Sequence, residues 1–305
     1  MKVRVRVRVR EIFLSSEMMC TFVWLPRRNA AFGKMKRLIL TMIAMLSLSF
    51  GLGGQTVPTD SCGTADSLRQ QSHSLRYNGK TLGVLGGLGP AASADFMRLL
   101  VVKAPATTDP EHPRVILLSQ PQTPNRNDFI FGVGEDPEPA LRSGLEQLSA
   151  WGADILCVTC NTAHHYIDHF RSQLDKPLIH IIDETVRAAR ERSPEGAWLT
   201  ATLGTIKAGI FQENAARNGY SFVVPDEETR NEVQEVIFKV KAGRYEEAGA
   251  LLRSICEKLW SVRDIPIVAA CTEIPIAYGY TGLPAEKCIS SLDALADACI
   301  RELYE

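Results

Sequence analysis

A chain of 305 residues with 45% hydrophobic and 23% charged content has the composition of a soluble globular protein with room for one or two domains. Its formal net charge of −1, with no Lys/Arg stripe interleaved with aromatics in the globular part, excludes a field that would gather nucleic acid or an acidic membrane surface. A small-molecule partner is the expectation.

The chain opens on MKVRVRVRVR, an alternation of basic and apolar residues that does not belong to the globular part. Further on, Lys34-Met35-Lys36-Arg37 precedes LILTMIAMLSLSFGLGG, which reads as the basic and apolar regions of a secretory signal peptide. The run is short for a membrane span and ends in Gly51, Gly53 and Gly54, small residues suited to cleavage, so no stable span is expected in the mature chain. A single membrane anchor is the rival. Met35 is a natural start, residues 1 to 54 form an N-terminal extension, and the product is expected to be periplasmic or secreted, with a cytoplasmic location as the alternative. The polar, Ser/Gln/Thr-rich stretch from 55 to 78 reads as a linker.

From Lys80 onward short apolar, β-rich runs recur: TLGVLGG, RVILLSQ, ADILCVTC, PLIHIID, AWLTATLG, SFVVP, IPIVAAC and KCISS. Helical patterns such as EPALRSGLEQLSAWG and ETRNEVQEVIFKVKAG lie between them, and alternating strands and helices predict an α/β fold with mostly parallel sheets. In the second helix Val233, Val236, Ile237 and Val240 fall at i, i+3, i+4 and i+7, which marks one face as core.

A weak internal repeat organises this region. VLGGLG at 84 to 89 resembles TLGTIK at 202 to 207, and DILCVTCNT at 154 to 162 resembles PIVAACTE at 266 to 273. Two pseudo-symmetric lobes follow: residues 79 to 183, completed by 287 to 305, and residues 184 to 286. Facing lobes bring together the carboxyl ends of their strands, where open α/β sheets bind ligands, so Cys160 and Cys271 are expected across one cleft.

The cluster ILCVTCNTAHHY, 155 to 166, admits a metal site, a redox pair or a single reactive thiol. Strand context disfavours the first two. Cys157 and Cys160 cannot share a strand face, no second CxxC or HxxxH completes a tetrahedral set, and a redox CxxC wants its first Cys at a helix N-terminus. No metal is expected. Cys157 reads as a small core hydrophobe, and so do the helix-borne Cys256 and Cys299. Cys160 instead ends its strand just before a new helix, where unpaired N–H groups favour negative charge. His164 reads as a site hydrogen-bonder or a structural histidine. The glycine cluster Gly83 to Pro90 does not have GxGxxG spacing; its strand-to-helix turn, with Gly87 at the centre, suits close approach of a small carboxylate.

GVLGGLGP, PNR at 124 to 126, CNTAH at 160 to 164, LGTIKAG at 203 to 209 and ACTEIP at 270 to 275, in that order, resemble the aspartate/glutamate racemase superfamily, most closely its aspartate racemase branch, over residues 80 to 305. The resemblance implies two pseudo-symmetric α/β lobes and cofactor-independent racemisation of an acidic amino acid, aspartate before glutamate, with neither metal nor pyridoxal phosphate. It implies Cys160 and Cys271 as the two acid/base thiols, Arg126 and Lys207 on the side-chain carboxylate, and Asn161, Thr162 and Thr272 around the α-carboxylate. A homodimer is the assembly to test for. Inversion at an α-carbon needs a base on one face and an acid on the other, which two thiols supply. The rivals are a single-face isomerase or decarboxylase of small diacids, for which one thiol suffices, and a non-catalytic exported amino-acid-binding protein, which has no use for two.

Overall fold

The structure, a computed structural model, describes residues 75–305; the expected signal peptide at 35 to 54 lies outside the described residues. All eight apolar runs form strands, and they assort into two four-stranded sheets of identical topology. The first contains β1 (Leu82–Gly86), β2 (Val115–Ser119), β3 (Ile155–Val158) and β4 (Leu178–Ile179), in the order β2-β1-β3-β4. The second contains β5 (Ala197–Thr200), β6 (Phe222–Val223), β7 (Ile267–Ala269) and β8 (Cys288–Ser290), in the order β6-β5-β7-β8. Every strand pairing within the sheets is parallel. Each sheet therefore has its switch of direction between its first and third strands, the place where such sheets open a crevice.

Alternation along the strands sorts side chains between three cores. Leu82, Val84 and Cys157 from the first sheet join Leu199, Val268 and Ile289 from the second in one shared core. Leu85, Leu156 and Val158 point the other way, into the outer core of the first lobe; Trp198, Ile267 and Ala269 do the same in the second. Because both faces are covered, the strands are apolar throughout rather than alternating, as parallel sheets require.

Eleven helices cover the sheets among the described residues: α1 (Pro90–Lys103), α2 (Arg126–Ile130), α3 (Glu138–Ala150), α4 (His164–Ile167), α5 (Ile181–Arg192), α6 (Leu203–Ala208), α7 (Ile210–Arg217), α8 (Glu227–Lys241), α9 (Tyr245–Val262), α10 (Ile274–Tyr278) and α11 (Ser291–Leu303). The predicted core stripe of α8 is observed, with Val233, Val236, Ile237 and Val240 all buried. Each such burial contributes about 1.5–3 kcal/mol. The predicted helices ran to Gly152 and Gly243; α3 and α8 stop earlier because both glycines take left-handed backbone just past the helix ends.

Two boundaries differ from expectation. The first lobe was expected to resume at 287, but β8 pairs with β7 in the second sheet, so the chain returns only with α11, which packs on both α1 and α5. The end of the expected linker is already structural: Arg76 N–H donates to Glu305 O at 2.8 Å, and Tyr77 forms an antiparallel bridge with Tyr304. Among the described residues no helix is long and apolar enough to cross a membrane.

Candidate active site

The two cysteines occupy equivalent positions. Cys160 follows β3 by two residues and Cys271 follows β7 by two, each at the carboxyl end of the strand beside its sheet's switch point. Both are buried, Cys160 in the outer core of the first lobe and Cys271 in that of the second. Cys157, three residues before Cys160, faces the shared core instead, so the CxxC spacing does not bring its two sulfurs onto one face. No group of three His, Cys, Asp or Glu side chains among the described residues is arranged to hold a metal ion.

The strand ends are held by a web of hydroxyls. Ser93 on α1 accepts the Gly87 N–H at 2.9 Å and meets the Thr159 hydroxyl at 3.0 Å, which ties the glycine turn to the end of β3. Gly87 is left-handed, and a Cβ there would run into the backbone of Gln120 and Pro121; no other residue lets the turn pass so close to the β2 exit. The segment Gly87–Ala91 lines a cleft of about 690 Å³. The cleft is also lined by the end of α8, with Ile237, Phe238 and Lys241, and by Glu273 just before α10. Neither cysteine lines this cleft itself; Cys271 is linked to it through Glu273, because its Sγ–H donates to Glu273 Oε2 at 3.0 Å. Burial pushes the Cys271 thiol well above the ordinary range, the Glu273 charge adds to that, and Lys241 opposes it. Cys271 is therefore held as a neutral thiol at neutral pH.

Arg126 enters the cleft from the N-terminus of α2. Its guanidinium donates to Thr123 O at 3.1 Å, Pro124 O at 3.0 Å and Leu88 O at 2.6 Å. Nε has no partner, and no carboxylate lies within ion-pair distance among the described residues. A buried cation fixed by carbonyls and lacking a counterion is an anion receptor in waiting. The carbonyl of Arg126 also accepts from Tyr166 Oη at 2.6 Å, which anchors the start of α2 to α4.

Several expected roles fall differently. Lys207 is exposed on α6, its ammonium 4.3 Å above the Phe131 ring, and it does not line the cleft. The turn before α6 offers no free cradle either. Gly204 N–H is taken by Asn127 Oδ1 at 3.1 Å, Leu203 N–H by Gln234 and Thr205 N–H by Thr202. The lysine in the cleft is Lys241, in the last turn of α8, its Nζ 3.5 Å from Glu273 Oε1. Burial works to lower its pKa, but the net shift is upward, with the Glu273 carboxylate the leading cause, so the ammonium stays charged. Nothing local in the sequence singles it out, because a lysine ending a helix ordinarily just complements the dipole.

Asn161, Thr162 and Thr272 engage the protein with their side chains. Thr162 Oγ1 lies 2.8 Å from Thr205 Oγ1 and 3.3 Å from Thr202 Oγ1, a hydroxyl clasp between the lobes. Asn161 donates to Ser291 Oγ at 2.9 Å, while its Oδ1 has no partner. Thr272 Oγ1 sits 3.4 Å from Thr159 O and 3.3 Å from Glu273 Oε2. None of the three lines the cleft as Gly87 and Arg126 do. His164 is fully buried with Nδ1 2.8 Å from Cys160 O; burial first, and His180 next, push it well below the usual imidazole range. It is a neutral prop under the Cys160 backbone.

Two like-built parallel lobes, with a cysteine at the same strand end in each and a cleft lined by Arg126 and Lys241, define a two-lobed α/β enzyme architecture. Residues 85–299 match the family described as Asp/Glu/Hydantoin racemase. The broad specificity amino-acid racemase RacX of Bacillus subtilis (strain 168) is 27% identical over 198 residues, covering 63% of this chain and 85% of that protein. An aspartate racemase of Picrophilus torridus superposes with a TM-score of 0.67 at 26% identity, covering 74% of this chain and 96% of the other. An aspartate racemase homologue from Pyrococcus horikoshii OT3 shares the fold, with a TM-score of 0.59 at 20% identity over 73% of this chain and 99% of the other. The chain belongs to the Asp/Glu/hydantoin racemase family and is an isomerase of the amino-acid racemase class.

Proposed function

We propose that the protein racemises an acidic amino acid, aspartate before glutamate, without a cofactor, with Cys160 and Cys271 as the two acid/base groups. The observation that carries this reading is the equivalence of the two thiols: each lies two residues beyond the third strand of its own sheet, the pseudo-symmetric arrangement that a two-base inversion calls for. An inverting reaction needs two proton-transfer groups on opposite faces, each worth about 10²–10⁴-fold in rate. Arg126, a buried cation with no counterion among the described residues, supports an acidic substrate. The likeness to an aspartate racemase supports the same choice.

In each direction one cysteine acts as thiolate and the other as thiol. Cys271 rests as the thiol on Glu273 Oε2 and so stands ready to donate a proton. Incubation of the pure protein with L-aspartate in heavy water tests the reading: D-aspartate appears with deuterium at the α-carbon. If alanine is inverted as readily as aspartate, the side-chain carboxylate plays no part and a broad-specificity racemase, as the Bacillus subtilis relative is named, takes its place.

The state of Cys271 can be read directly. A thiol whose pKa is raised stays neutral to higher pH, so its thiolate fraction reaches one half well above about pH 8.5, the midpoint of an ordinary thiol. In a Cys160→Ser variant, the rate of Cys271 alkylation, followed by mass spectrometry across pH, is expected to have its midpoint well above that of an ordinary thiol, about 8.5. A midpoint at or below the ordinary thiol value contradicts the assignment.

A further inference from the structure

Glu273 is only 3% exposed, yet it lines the cleft. Its two oxygens stand in different positions. Oε2 accepts from the Cys271 thiol at 3.0 Å and lies 3.3 Å from the Thr272 hydroxyl. Oε1 has no hydrogen-bond donor; its one ion-pair neighbour is Lys241 Nζ at 3.5 Å, too far or too poorly directed to satisfy it. Oε1 also abuts the glycine turn directly, since a Cβ on Gly89 would overlap it. A buried carboxylate oxygen without a donor is an expensive feature unless something arrives to satisfy it.

The charges lining the cleft say what that is. They are Arg126, Lys241 and Glu273: two cations and one anion. An acidic α-amino acid carries two carboxylates and one ammonium, the one-for-one complement of that set. On the racemase reading of the site, we propose that Glu273 Oε1 receives the substrate's α-ammonium, exchanging its loose pairing with Lys241 for a direct charge-assisted hydrogen bond while a substrate carboxylate takes the lysine. The exchange leaves no charge unpaired, and it opens the Lys241–Glu273 pair that stands between the cleft and the Cys271 thiol. Glu273 then selects for substrates with a charged α-nitrogen and discriminates against dicarboxylates that lack one.

Calorimetric binding of aspartate and of succinate, which has both carboxylates and no nitrogen, separates this role from a structural one. The unmodified protein is expected to bind aspartate at least about tenfold more tightly than succinate, the scale of one charge-assisted contact. Glu273→Gln keeps the size of the side chain and an acceptor for the Cys271 thiol; it is expected to weaken aspartate by about 10- to 100-fold and to leave succinate unchanged or tighter. Equal weakening of both ligands, or of neither, overturns the proposal. The comparison on the unmodified protein stands even if the variant does not fold, and succinate bound as tightly as aspartate there overturns it too. Because both are binding measurements, a protein that binds aspartate selectively but never inverts it sinks the racemase reading and leaves the role of Glu273 intact.

Discussion

Replacing either Cys160 or Cys271 by Ser is expected to lower aspartate racemisation by at least about a thousandfold, within the range that loss of a positioned acid or base produces. Burial at both positions and the near-isosteric change should leave the fold unaltered. The stronger part of the expectation is what survives. In Cys160→Ser the remaining Cys271 can, as thiolate, still remove the proton of the enantiomer that faces it and return a solvent deuteron to the same side. That variant should exchange one enantiomer without inverting it, and Cys271→Ser should exchange the other. Proton NMR in heavy water reads both. Near-normal inversion by either variant, or exchange of the same enantiomer by both, removes the two-thiol mechanism. A single-face isomerase would lose everything with one cysteine and little with the other.

The second large effect belongs to Arg126. Its guanidinium is buried and fixed by three backbone carbonyls, with no carboxylate partner among the described residues, so a substrate carboxylate reaching it finds a preorganised site. Truncating one partner of a buried charge pair costs about 2–5 kcal/mol. At about 1.4 kcal/mol per factor of ten, Arg126→Ala should lower kcat/KM for aspartate by roughly 30- to several-thousand-fold. Part of that loss comes from freeing the carbonyls of Leu88, Thr123 and Pro124. Arg126→Lys separates the contributions, because it keeps the charge but not the planar fork and should recover only part of the activity. Lys207→Ala is the contrast: with its ammonium over Phe131 and outside the cleft, it should leave kcat/KM within a few-fold. Steady-state kinetics on the three variants decide the matter, and a Lys207→Ala loss as large as that of Arg126→Ala would place the carboxylate on α6 after all.

Lys241 and Glu273 show why part of the site escapes sequence reading. Lys241 ends an amphipathic helix whose other residues are explained by the core, and its neighbour Val240 belongs to that core. Its role appears only when α8 is laid against the strand end that carries Cys271, some thirty residues further along the chain. Glu273 lies two residues beyond Cys271 in the chain, within the ACTEIP motif. That one of its oxygens holds the thiol while the other is buried without a donor is a matter of side-chain direction in a packed wall. Lys207 is the opposite case: it sits in a motif that repeats the first glycine turn, but Asn127 fills that turn and Phe131 draws the lysine outward.

The amino-acid sequence by itself determined the eight apolar strands, their alternation with helices and hence the parallel α/β class, because strand burial and helix periodicity are written locally in residue types. It also determined, through its internal repeat, that two lobes of the same build would each end a strand in cysteine. Of the residues that face the cleft, Gly87 and Arg126 were already candidates in the sequence; that Lys241 and Glu273 join them while Lys207 does not was settled by tertiary structure. Parallel sheets pair strands distant in sequence, so which loop meets which helix end depends on how the two lobes close over their shared core. That closure turned Thr162 and Asn161 into clasps and left Arg126, Lys241 and Glu273 as the charges facing the cleft. A charge is identified as a binding group only by what surrounds it, and those surroundings come from elements a hundred residues apart.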